Sequence, residues 1–137
     1  MAVTANQLIQ GQDMHGKISG KVLAAKHLYQ GCLAFIVPAS GFVTDVIAAG
    51  VNVFAGIVVG EVDNSAGANG DLECELWTEG VYELTGSGFT QATVGSLIYA
   101  VDNYTVNTTS ASQSKVGRCV RYISSTRIAV KIDVQQA

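Results

Sequence analysis

The most suggestive run of side chains is Gly11-Gln12-Asp13-Met14-His15-Gly16-Lys17, which has the Gly-x-x-x-x-Gly-Lys spacing of a phosphate-cradling loop. Such a loop offers backbone N–H groups to the phosphate oxygens, a lysine for charge, and a following Ser or Thr hydroxyl for magnesium. Here the following residue is Ile18. The run also lacks a buried strand before it and a helix after it, so its context argues against nucleotide hydrolysis. Leu97 to Asp102 imitates the apolar strand that ends in a magnesium-binding aspartate. A strand running into an Asp-Asn turn accounts for it equally well.

Ser112-Gln113-Ser114-Lys115 has the Ser-x-x-Lys spacing of serine acyl-transferases, but it lies in the loop sequence NTTSASQSK and not at a helix start. His15 and His27 are the only histidines. Asp13 and His15 could share a metal ion, yet no third ligand is near them in sequence. Glu73, Glu75, Glu79 and Glu83 form the densest acidic cluster; on alternating strands they read as a solvated outer face and not as a general acid and base. Small trimeric dUTPases carry a Gly-Arg-Ser-Ser motif, and the nearest string, Gly117-Arg118-Cys119, lacks the serines. The expectation is a protein that is not an enzyme, with no catalytic residues, no metal and no cofactor.

Three cysteines, Cys32, Cys74 and Cys119, are an odd number and stand more than forty positions apart. That spacing suggests reduced thiols used as small apolar fillers. Asn103 and Asn107 fit the glycosylation pattern, which carries little meaning without a secretory signal, and the polar N-terminus predicts none.

The elements that must position these residues are strands. Ile128, Val130, Ile132 and Val134 alternate with Arg127, Ala129, Lys131 and Asp133, the pattern of a half-buried strand. Val116 to Ile123 is its partner across a Ser124-Ser125-Thr126 turn. Leu72, Cys74 and Leu76 alternate with Glu73, Glu75 and Trp77, which places Trp77 outward with the glutamates. VYELT, LIYAV and YTV are further strands. Leu33 to Val37 and Phe54 to Val62 are too apolar to alternate, so both of their faces are expected to be buried. Asp63 to Asp71 is the clearest turn-rich segment, and only Ala2–Ile9 and Lys21–Leu28 have any helical character. Two tripeptides recur, Ser-Gly-Phe and Val-Asp-Asn, without a fixed period; similar turns are the simple account. The expected fold is all-β, a small β-barrel or β-sandwich at 27–137, with a less regular N-terminal arm or extension at 1–26.

Composition bounds the partners. Of 137 residues, 48% are hydrophobic and only 14% charged, against roughly 25% charged in an average domain. A compact monomer of 14.3 kDa would expose roughly 6,800 Å². Eight basic and 11 acidic residues coat that surface thinly, which suggests that partners cover part of it. The net charge of −3 and the lack of a basic block argue against nucleic acid. From Leu28 to Gly60 the only charge is Asp45, but Pro38, glycines and polar residues break the stretch below the length of a membrane span.

From about Lys26 onward the chain resembles a family of tailed-phage capsid cement, or head decoration, proteins. The likeness rests on ordered phrases: LYQGCLAFIVPASGFVT, GEVDNSAGANGD, VYELTGSGFTQATVGSLIYAVDNYTV, and SKVGRCV before the alternating last strand. They span about four-fifths of the chain. The resemblance implies a β-barrel-like subunit, made in the host cytoplasm, that trimerises on the outer capsid surface of the virion. It would bind the major capsid protein at capsomer junctions and stabilise the shell, combining modest contacts through effective concentration. Residues 1–26 match no part of the family. They are read either as an arm that touches the capsid or a neighbour, with Gln7, Leu8 and Ile9 as its contact residues, or as a divergent first strand. The competing reading is a virion-surface binding module, for example for glycans, which would use exposed aromatics among Trp77, Tyr82, Tyr99, Tyr104 and Tyr122.

Overall fold

Twelve strands and two short 3₁₀ turns organise residues 16–134, the part of the chain that the computed structural model describes. The first seven are β1 (Lys17–Lys21), β2 (Lys26–Leu28), β3 (Leu33–Ile36), β4 (Val43–Thr44), β5 (Val53–Val58), β6 (Val62–Asn64) and β7 (Glu73–Trp77). Five of these form an antiparallel sheet in the order β1-β7-β5-β3-β4, while β2 pairs with β6 as a separate ribbon. The last five are β8 (Val81–Gly86), β9 (Leu97–Ala100), β10 (Thr105–Asn107), β11 (Ser114–Ser124) and β12 (Arg127–Ile132). Their pairing runs β10-β8-β12-β11-β9 and returns to β10, so each has two partners. The fold is all-β.

One apolar cluster joins the two halves. Leu33, Phe35, Phe54 and Ile57 from the sheet meet Ile98, Val106, Val116, Ile128 and Val130 from the ring. Phe35 and Phe54 pack edge to face with ring centroids 6.0 Å apart. A second cluster lies on the other side of the sheet and includes Val22, Leu28, Ala34, Ala55, Val58, Cys74 and Leu76. β3 and β5 therefore bury both faces, as their unbroken apolar runs predict. A bulge in β5 completes the arrangement: Phe35 pairs with Phe54 and Ala34 with Gly56, which leaves Ala55 as the extra residue.

The ring closes at one parallel contact, where Thr105 and Val106 of β10 face Thr85 and Gly86 of β8. Gly86 makes this possible. A Cβ there would stand 2.2 Å from the Val106 carbonyl oxygen and 2.5 Å from the Phe89 ring. Ile128, Val130 and Ile132 face inward as expected, with Arg127 and Lys131 exposed, but Ala129, expected outward with them, is buried; the hairpin joining β11 to β12 turns at Ser125-Thr126.

Two expectations change. Lys21–Leu28 holds no helix: it comprises the end of β1, a short turn and β2. Val22 and Leu28 are fully buried in the second cluster, and β6 supplies the backbone partners that a short helix would have to find within itself. The folded unit also begins before residue 27, because β1 pairs along its whole length with β7. The remainder of the expected arm, residues 1–15, lies outside the described residues, and with it Gln7, Leu8, Ile9, Asp13, His15 and most of the phosphate-loop-like string.

Candidate interaction surface

The hairpin of β11 and β12 sends Val116, Cys119, Ile128, Val130 and Ile132 into the shared core. Its outward positions carry Lys115, Arg118, Val120 and Lys131. Between them runs a cleft of ≈ 480 Å³ with apolar Leu97 and Val120 in its walls, three cations, and Asp133. Gly117 lies beneath it in a tight backbone approach: it pairs with Ile132 on one side and Ile98 on the other, and a Cβ would stand 2.1 Å from the Lys131 carbonyl oxygen. The Arg118 guanidinium donates to the Gly95 carbonyl, which holds it against the protein. Lys115, Arg118, Arg121 and Lys131 form no salt bridge among the described residues.

A second depression of ≈ 250 Å³ adjoins the first through Lys115 and is lined also by Asn52, Phe54, Tyr99 and Gln113. Two loops meet there. Ala48 and Ala49 adopt left-handed backbone (φ 50° and 54°), as does Ser112 (φ 58°). Ser114 Oγ donates to the Asn52 carbonyl at 2.6 Å, and Asn52 Nδ2 donates to the Val46 carbonyl at 2.9 Å. Gln113 Oε1 is buried without a hydrogen-bond partner among the described residues.

Opposite charge collects in the sheet half. Residues 16–80 carry three Lys against seven Asp or Glu, whereas residues 81–134 carry five Lys or Arg against three acids. At the start of β7, exposed Asp71 and Glu73 flank Leu72, itself 42% exposed. Asp71 Oδ2 accepts from the Ala68 N–H at 2.8 Å, and neither acid has a salt bridge among the described residues. Lys21 lies across from Glu73 in register, but no ion pair joins them.

The residues singled out for chemistry do not converge. Glu73 and Glu75 stand on β7 with Lys17 3.5 Å from Glu75, Glu79 is in a turn, and Glu83 sits on β8 3.3 Å from Arg127. Ser112 occupies a turn before β11, and Gly117-Arg118-Cys119 lies within that strand. Asp102 accepts from the N–H groups of Tyr104 and Thr105 at 2.8 and 2.7 Å, the work of a turn-forming aspartate. Asp63 does the same for Ser65, so the two Val-Asp-Asn copies share a turn device. Hydrogen bonds from Ser65 also hold the exposed Asp63 carboxyl below its ordinary pKa.

All three cysteines are free and buried. Burial pushes the Cys32 and Cys74 thiols up to about 11 and raises Cys119 as well, which keeps all three protonated and unreactive at neutral pH. Trp77 differs from its expected outward placement: it is half-buried against the shared core, with Lys17 Nζ 5.1 Å from its ring centroid. That face of β7 meets the core at Trp77, while Glu73 and Glu75 remain in water. Of the five candidate aromatics, only Tyr104 is exposed.

Sequence reasoning missed two groupings that join distant positions. His27 Nε2 lies 2.5 Å from Glu61 Oε2, with Asp63 3.8 Å from Nδ1 and Tyr29 stacked on the imidazole at 4.1 Å. Buried Asn64 donates to the carbonyls of Leu23 and Ala68 at 3.1 and 3.0 Å and reaches that of Val22 at 3.4 Å, which ties the 63–71 turn to the end of β1. Among the described residues no three His, Cys, Asp or Glu side chains are placed to hold a metal ion, and no helix is long and apolar enough to cross a membrane. No protein-family model matches the chain, nor does any curated protein or solved structure.

Proposed function

We propose that this protein is a non-catalytic capsid cement protein of a tailed phage, which binds the major capsid protein on the outer surface of the head as a trimer and stabilises the shell at capsomer junctions. The observation that carries the reading is the ordered set of phrases from Lys26 to the last strand, which resembles that family. Those phrases fall on both halves of the fold, from β2 to β4, across β6 and its turn, from β8 to β10 and at the start of β11. Apolar side chains left in water add support. Val46, Val51, Leu72, Val81, Val120 and Ile123 are all exposed in a chain with few charges, as expected of a surface that partners cover. The glycan-binding alternative is less supported, because Trp77 is engaged with Lys17 and the core.

Co-sedimentation with expanded, undecorated heads tests the proposal. Saturable binding, together with a trimeric mass in solution, is the expected result. Absence of binding at saturating protein, with no trimer by mass, overturns it.

A further inference from the structure

The cationic cleft and the Asp71-Leu72-Glu73 tip have matching chemistry. The cleft has apolar walls, from Leu97 and Val120, under a rim of Lys115, Arg118 and Lys131. The tip is an exposed leucine between two exposed carboxylates. Three rim cations outweigh Asp133, and none of the three has a salt bridge among the described residues. We infer that the cleft on β9, β11 and β12 docks the Asp71-Leu72-Glu73 tip of a second copy of this chain. The inference rests on the self-association part of the function proposed above, and it names the surfaces that would meet.

The physical case is complementarity of two kinds. Leu72 gains an apolar wall, from Leu97 and Val120, in place of water. The flanking carboxylates then approach the rim lysines, which steers encounter and fixes register more than it adds affinity. The two patches are on different elements, so the contact is heterologous and not two-fold. Repeating such a contact closes a ring when the rotation between copies allows it, and otherwise leaves an open chain.

Charge reversal tests this with the full chain, read by sedimentation equilibrium over a range of concentrations. Lys115→Glu/Lys131→Glu reverses the cleft and Glu73→Lys reverses part of the tip; each alone should weaken self-association at least tenfold. Mixing the two variants should restore association between them, and that rescue shows that both are folded. Leu72→Ser should weaken association in 1 M NaCl as well as at low salt, because its contribution is apolar. If the wild-type chain associates and the reversals leave its affinity unchanged, the cleft contact is wrong while self-association stands. A wild-type chain that stays monomeric at every concentration overturns the contact and the trimer together. If the rescue works but heads are not bound, the cement reading fails and the contact survives.

Discussion

The sheet and the ring solve the same packing problem in opposite ways. In the sheet, β3 and β5 lie between two apolar clusters and are buried on both faces, so their sequences show no alternation. In the ring, β12 keeps Arg127 and Lys131 in water while Ile128, Val130 and Ile132 pack inward, and the period of two shows in the sequence, broken in burial only at the small, covered Ala129. Charge is biased the same way, with acids outnumbering bases in the sheet half and bases outnumbering acids in the ring half. The lesson is that alternation reports water on one face and is lost where a second layer replaces that water.

The largest test of this comparison is Phe54→Ala. Phe54 stands in the cluster that joins sheet to ring, so truncation should remove about 3–5 kcal/mol and lower the urea midpoint for both halves in one transition. Separate transitions by Trp77 fluorescence and far-UV circular dichroism would break the idea of one shared core. Gly86→Val acts on the ring alone, at its closing contact, and should cost about 1–3 kcal/mol by overpacking. Gly60→Ala is its control: no atom lies within 4 Å of a Cβ there, so its thermal midpoint should hardly move.

Asn64→Leu acts on the sheet half. It leaves the carbonyls of Val22, Leu23 and Ala68 without this donor and should cost about 1–3 kcal/mol, with amide exchange accelerated first around 63–71. The smallest effect is alkaline. Cys32 and Cys74 hold their protons up to about 11 when folded, against 9.0 unfolded. Between those values the unfolded chain loses protons first, so their contribution to stability is complete below about pH 9 and is lost as pH rises towards 11. Denaturation midpoints across that range should fall, and Cys32→Ala/Cys74→Ala should flatten the decline.

Several elements were legible because their cause is local. The β11–β12 hairpin, β7 and the 63–71 turn follow from alternation and from Asp, Asn and Gly at positions that need unusual backbone. Others were not. Lys21–Leu28 has weak helical character, yet burial of Val22 and Leu28 and pairing with β6 override it. Trp77 shares its strand position with glutamates, and only the approach of the shared core separates their environments. The cleft depends on Leu97, Gly117 and Lys131, which come from three strands, so no single window of sequence contains it.

By itself the sequence determined that this chain is all-β, which segments are strands, that its thiols are fillers, and that its charge is too sparse for the surface it must cover. Each of these depends on residue type and nearest-neighbour spacing, which the chain carries in one dimension. Tertiary structure alone decided that β8 to β12 close on themselves and that β3 and β5 serve two cores. Those outcomes depend on contacts between residues tens of positions apart, whose partners are set only when the chain has folded.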